Sequence, residues 1–147
     1  MKDETWRRHA NPWSVWTRFA AIPPLILAIW SRAWIGWWCL VPLAVVIAWL
    51  IINPSAFAPV DEPKRWTERG IYGERIWVRD KDIPGEHKRI LMLLLVLAGI
   101  GAALLALGLV TLNVWPTVFG ATLVVITQLW RIDRFATLYD AKSVSPQ

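Results

Sequence analysis

Cysteine is scarce in this sequence, and the signatures of common enzyme chemistries are missing. Cys39 is the single cysteine among 147 residues, so no internal disulfide can form. There is no HExxH zinc motif, no CxxC pair, no GxSxG nucleophile elbow, no Walker phosphate loop and no dinucleotide fingerprint. The sequence therefore assigns neither a reaction nor a cofactor.

Charge is absent from two long stretches of the chain. No Asp, Glu, Lys or Arg occurs between Ala33 and Ile52, or between Ile90 and Leu112. Each stretch is long enough to cross a hydrocarbon core of about 30 Å at about 1.5 Å per helical residue. The chain is 56% hydrophobic with a mean hydropathy of +0.40, more apolar than ordinary soluble domains. This pattern predicts an all-α integral membrane protein.

The apolar segments predict one membrane domain, residues 1–147, built as a bundle of four transmembrane helices. We expect the spans at residues 12–31, 33–52, 89–112 and 114–131. Asn11 suits the N-cap of the first span, which we expect to remain as an anchor, and the pair Pro23-Pro24 should kink it. Asn53-Pro54 should end the second span, because proline cannot continue a helix.

The remaining segments are polar. Residues 53–88 form an amphipathic loop, in which an interfacial helix at about residues 62–69 is plausible on composition. Beyond Gly70 and Gly73 the pattern fits either another helix or a short hairpin. In the segment 132–147, the amphipathic pattern predicts a helical extension to about Ala141, followed by a loose tail.

The distribution of basic residues predicts the orientation in the membrane. With four spans, every one of the 16 Lys and Arg residues except Arg32 falls on the same side as the termini and the long loop. The positive-inside rule therefore places both termini and the loop in the cytoplasm. We expect the protein to lie in the cell (inner) membrane. Because the basic residues alternate with acids and flank apolar spans, we expect lipid bilayer and anionic headgroups, not nucleic acid, as partners.

Most of the 12 tryptophans fit two interfacial belts in this arrangement. The cytoplasmic belt would contain Trp13, Trp16, Trp49 and Trp130. The outer belt would contain Trp30, Trp34, Trp37, Trp38 and Trp115.

One N-terminal motif carries a resemblance to a known group of proteins. The run HANPWSVWTR at residues 9–18, together with WIGWW at residues 34–38 and Asp133-Arg134, resembles an uncharacterised family of small prokaryotic multi-pass membrane proteins. The resemblance covers most of the chain. It implies a membrane fold and no particular chemistry, since the family is a domain of unknown function.

Polar residues that could form a site collect at the predicted cytoplasmic helix ends. They are His9, Asn11, Arg18, Arg69, Glu74, Arg75, His87, Asp133 and Arg134. The two histidines with Asp133 and Asp140 have the chemistry of a divalent-metal site, although no metal-ligand spacing supports one. The arginines, Arg131 included, could clamp a phosphate group. The simpler interpretation is that these side chains are solvated and contact anionic lipids.

Small residues on the third span predict close helix packing. They are Ala98, Gly101, Ala102, Ala106 and Gly108. The leading hypothesis is therefore a small membrane protein that packs with itself or with a membrane-protein partner, and that binds lipid or a partner at its cytoplasmic face. The alternative is a membrane-embedded enzyme, or a metal-binding or phosphate-headgroup-binding protein, with its site at the cytoplasmic interface.

Overall fold

Helices account for nearly all of the chain in the computed structural model, which describes residues 3–80 and 83–144. No strand occurs in these two ranges, so the protein is all-α as expected. The helices are α1 (Asp3–His9), α2 (Pro12–Ala20), α3 (Ile22–Trp30), α4 (Arg32–Ile35), α5 (Leu40–Ala56), α6 (Trp66–Arg79), α7 (Gly85–Thr111) and α8 (Val114–Val144), with a 3₁₀ turn at Gly36–Cys39.

The first predicted span is two helices joined at Ala21. Asn11 caps α2 as expected, because its side chain accepts a hydrogen bond from the Trp13 backbone N–H at 3.0 Å. The chain then breaks just before Pro23, which sits in the first turn of α3, where a missing N–H costs little. Helix α1 was not predicted; it buries Trp6 against the rest of the protein.

Residues 12–56 reverse direction and fold back on themselves. The Ser14 hydroxyl lies 2.9 Å from Asn53 Oδ1, and Asn53 Nδ2 donates to the Thr17 hydroxyl at 2.7 Å. A single straight helix of this length would be about 70 Å long, so its two ends could not touch. The reversal occurs between α3 and α5, where Gly36 has a φ of +57° that favours glycine.

The expectation that Asn53-Pro54 ends the helix is wrong. Helix α5 begins at Leu40 and continues through Asn53 and Pro54 to Ala56. Asn53 does not terminate the helix, because its fully buried side chain joins α5 to α2 instead. Pro54 lies in the last turn, where its ring removes only a terminal hydrogen bond.

The polar loop contains one long helix and not a hairpin. Helix α6 begins at Trp66 and extends to Arg79, so the expected helix at 62–69 was placed too early and ended too soon. The Glu68 carboxylate accepts the backbone N–H groups of Lys64 and Arg65, both at 2.8 Å, and so fixes the start of α6. This helix packs along the C-terminal half of α8.

Helices α7 and α8 form a tight antiparallel pair. A Cβ placed on Gly108 would lie 2.3 Å from the Thr117 nitrogen, and one on Gly120 2.3 Å from the Leu105 nitrogen. Gly101 also lies at this contact, whereas Ala98 is half-buried and Ala102 and Ala106 are exposed on α7. Packing of that alanine face on a second chain stays a prediction.

Helix α8 contains the helical extension predicted after residue 131. It continues without a break to Val144, so residues 142–144 are helical and not part of a loose tail as predicted. Residues 145–147 of that tail lie outside the described residues. Helix α7 likewise begins at Gly85, before the predicted residue 89.

Two helical stretches, Pro12–Ala56 and Gly85–Thr111, are long and apolar enough to span a membrane by length and composition. Their most apolar windows are 0% and 22% buried inside the protein, respectively. The core helix of a soluble protein would be mostly buried, so both stretches instead present their apolar side chains outward.

We expect Gly73→Ala to destabilise the protein, because the added Cβ would lie 1.8 Å from the Phe135 carbonyl oxygen on α8. Backbone atoms cannot move aside as a flexible side chain can, so the loss should be about 3 kcal/mol or more. The measurement is the thermal unfolding temperature in detergent. Gly99→Ala is the matched control: it is also helical, has no atom within 4 Å of its Cβ, and should be neutral or slightly stabilising. Equal unfolding temperatures for both variants would contradict the close α6–α8 contact.

Candidate functional site

A polar cavity of about 330 Å³ lies where α2, α6 and α8 meet the end of α1. Its polar lining consists of His9, Arg18, Glu74, Gln128 and Arg131. Three of these, His9, Arg18 and Glu74, belong to the set predicted from the sequence. The cavity thus collects polar groups from four helices that are far apart along the chain.

Local structure explains how each side chain reaches the cavity. His9 ends α1, and Arg18 lies in the last turn of α2. Gln128 and Arg131 are three residues apart on α8 and therefore share one face of that helix. Glu74 follows Gly73, whose missing side chain lets α6 approach the α8 backbone.

Arg18 fixes the protonation state of His9. Its Nη1 lies 3.1 Å from His9 Nε2, and its Nε donates to the Ser14 carbonyl at 3.0 Å. Because a guanidinium only donates, Nε2 must accept, and the imidazole is neutral with its proton on Nδ1. Burial, reinforced by the Arg18 charge, lowers the pKa of His9 to about 4. Among the described residues, the buried Nδ1 has no hydrogen-bond partner.

Arg131 is held at the cavity by two contacts on its own helix. Its Nη1 donates to Gln128 Oε1 at 3.2 Å, and its guanidinium carbon lies 5.5 Å from the centre of the Phe135 ring. The contact with Phe135 uses one face of the guanidinium, and the contact with Gln128 uses one N–H group. The other N–H groups form no hydrogen bond within the part of the chain that the structure describes.

Glu74 is a half-buried carboxyl between two positive charges. Burial raises its pKa, and the charges of Arg131 and Arg18 oppose that rise. Within residues 3–80 and 83–144 it forms no hydrogen bond or close ion pair with either arginine. The positive charge of the cavity is therefore only partly neutralised by the protein.

Several predicted residues bond elsewhere. Arg69 pairs with Asp140 at 2.8 Å, and Arg75 pairs with Asp3 at 3.0 Å, so both tie α6 to neighbouring helices. Asn11, besides capping α2, donates to the Ala58 carbonyl at 3.1 Å.

Asp133 and Arg134 form another contact on the outside of the cavity. The Asp133 carboxylate accepts from Arg134 and from the Trp66 indole N–H, and these hydrogen bonds hold its pKa below the usual range. His87 lies in the first turn of α7 and is not part of the cavity lining.

The metal-site hypothesis finds no ligand set in the described residues. No group of three or more His, Cys, Asp or Glu side chains there is arranged to hold a metal ion. The His9 ring contacts Arg18, and Asp140 forms an ion pair with Arg69. Neither side chain therefore belongs to a cluster of histidines and aspartates, which the metal-site hypothesis required.

One cavity residue was missed. Gln128 is not among the predicted site residues, because a lone amide in an apolar span usually bonds a neighbouring helix. The available signal was its spacing of three residues from Arg131, which puts both on one helical face.

Together these residues form a half-buried pocket with positive charge, of the kind that receives an anionic group. The chain belongs to a family of unknown function (DUF6653), whose model matches residues 1–147. No curated protein and no solved structure matches the chain.

We expect His9 to make the protein less stable as the pH falls from about 6.5 to about 4. Its pKa is lower in the folded state than in the unfolded state, so the unfolded chain takes up the proton first and unfolding is favoured across that window. The loss should be on the order of 2 kcal/mol. Thermal unfolding at pH 7 and pH 4.5 measures it.

The comparison variant is His9→Gln, which keeps a hydrogen-bond acceptor for Arg18 but does not titrate. Carboxyl groups titrate in both proteins, so only the difference between the two pH profiles reports on His9. Parallel profiles would mean that His9 is not held neutral by its surroundings.

Proposed function

We propose that this chain is a multi-pass protein of the inner membrane, with four transmembrane passes. The passes would be α2 with α3, then α5, α7, and the first part of α8. The outward-facing apolar surfaces of Pro12–Ala56 and Gly85–Thr111 support this proposal. The contact between α5 and α2 also supports it, because an apolar stretch that returns to its starting side would cross the membrane twice.

The positions of the charges support cytoplasmic termini. Arg32 lies at the α7–α8 turn, where its Nη2 donates to the Leu109 and Val110 carbonyls at 2.6 and 2.7 Å. Helix α6 instead packs on α8 around Ile132, 18 residues and about 27 Å beyond Val114. That distance is close to the thickness of the hydrocarbon core. Within the described residues, the basic side chains other than Arg32 would then lie at one membrane surface.

Cysteine labelling in a Cys39→Ser background tests this topology. We expect a membrane-impermeant maleimide to label Trp115→Cys on intact cells, and to label Glu62→Cys only after the membrane is opened. Both side chains are well exposed in the structure, at 81% each, so differences in labelling report on the side of the membrane. Labelling of Glu62→Cys on intact cells would overturn the orientation.

We further propose that the polar cavity binds a phosphate-bearing anionic group at the cytoplasmic face. The observation that carries this is the pair of guanidinium groups from α2 and α8. Both are positioned at one cavity, and both have N–H groups that form no hydrogen bond with the described residues. Arginine N–H groups match phosphate oxygens in geometry and charge. Burial strengthens the interaction, because solvent screens it less.

We expect Arg131→Gln to weaken anion binding by about tenfold or more, since it removes a charge-assisted hydrogen bond. The probes are dioleoyl phosphatidylglycerol and its deacylated headgroup, glycerophosphoglycerol, titrated into the protein in an uncharged detergent. The readout is the concentration dependence of the unfolding temperature. Arg89→Gln, an exposed arginine at the start of α7, removes the same charge away from the cavity and should have little effect.

We expect Glu74→Gln to have the opposite effect on anion binding in the same experiment. It removes the negative charge of the cavity, so binding of an anion should become tighter. If Arg131→Gln, Arg89→Gln and the unmodified protein bind both probes equally, the cavity is not an anion site.

A further inference from the structure

A second cavity adjoins the polar one, on the side of the apolar part of the protein. It has a volume of about 520 Å³ and lies between α3 and α8. Phe19 and Ile22 line both cavities, so the two meet at these side chains. Apart from Thr122, the described residues that line the second cavity are apolar.

The direction of this apolar groove matches that of a lipid chain. Along α8 it lies around Ala121 and Val125, whereas the polar cavity lies around Gln128 and Arg131. From Arg131 to Ala121 is 10 residues, or about 15 Å along the helix, toward the middle of the proposed bilayer. A ligand occupying both cavities would therefore place a charged end at the membrane surface and an apolar end in the hydrocarbon.

The groove is open on its side. Leu27 of α3 and Ile126 of α8 line it, and they are 60% and 53% exposed. In a bilayer, such side chains contact the acyl chains of surrounding lipids. A lipid could enter the groove sideways from the membrane without passing through water.

We propose that the ligand of the polar cavity is an anionic phospholipid from the surrounding bilayer, with its phosphate at Arg18 and Arg131 and one acyl chain in the groove between α3 and α8. This inference rests on the proposed anion site and assigns its source. A soluble phosphate compound would use the arginines alone and leave the groove unused. The adjacency of the two cavities, which share Phe19 and Ile22, favours the lipid.

Filling the groove tests the inference. Ala121 is a small side chain on the groove wall, and Ala121→Phe should occupy the space of the acyl chain. We expect it to weaken binding of dioleoyl phosphatidylglycerol by about tenfold, while binding of glycerophosphoglycerol is unchanged. Val118→Phe is the matched control, because Val118 lies on α8, is 53% exposed and does not line the groove.

The outcomes separate this inference from the anion site. If Arg131→Gln weakens both probes but Ala121→Phe weakens neither, the anion site stands and the lipid assignment is overturned. If Arg131→Gln changes neither probe, the anion site itself fails. Should Ala121→Phe not fold, Val125→Phe on the same wall replaces it, and an effect of Val118→Phe equal to that of the groove variants would also overturn the lipid assignment.

Discussion

The contact of α6 with α8 is the constraint on which the candidate site depends. Gly70 and Gly73 leave no room for side chains between the two helices, so α6 lies directly on the backbone of α8. This approach buries Ile71 with Ile132 and brings Glu74 to the cavity. A wider separation would move Glu74 away from Arg131 and open the cavity to water, so the site is a consequence of two missing side chains.

The chemistry of the cavity follows from the partners that its arginines lack. Arg18 is hydrogen-bonded to a neutral imidazole and to a carbonyl, neither of which carries a compensating charge. A buried arginine is usually paired with a carboxylate, because an uncompensated charge is costly to desolvate. Glu74 is near enough to be influenced by both arginines but forms no close pair with them. An anion bound in the cavity would supply the missing partner.

The sequence predicts the helix ends well where local patterns determine them. It predicts them less well where tertiary contacts determine them. The Asn11 cap and the extension of α8 follow from residue type and periodicity, and both are observed. Asn53-Pro54 has the local pattern of a helix end, but hydrogen bonds to Ser14 and Thr17 keep it within α5. No local pattern reveals those partners, which are 39 and 36 residues away.

The dependence on tertiary contacts also explains why only some of the predicted site residues line the cavity. His9, Arg18 and Glu74 meet, whereas Arg69 and Arg75 have equally suitable side chains but form ion pairs elsewhere. Residue type alone does not distinguish these groups. What distinguishes them is which helices meet around each side chain, and that depends on the fold of the whole chain.

The break between α2 and α3 links the polar cavity to the apolar groove. Phe19 precedes the break and Ile22 follows it, and these are the two side chains shared by both cavities. Pro23, which prevents α2 from continuing as a regular helix, itself lines the groove. Pro23 thus connects the primary sequence to the proposed function, since it interrupts the helix and lines the groove beside the place where headgroup and acyl chain would meet.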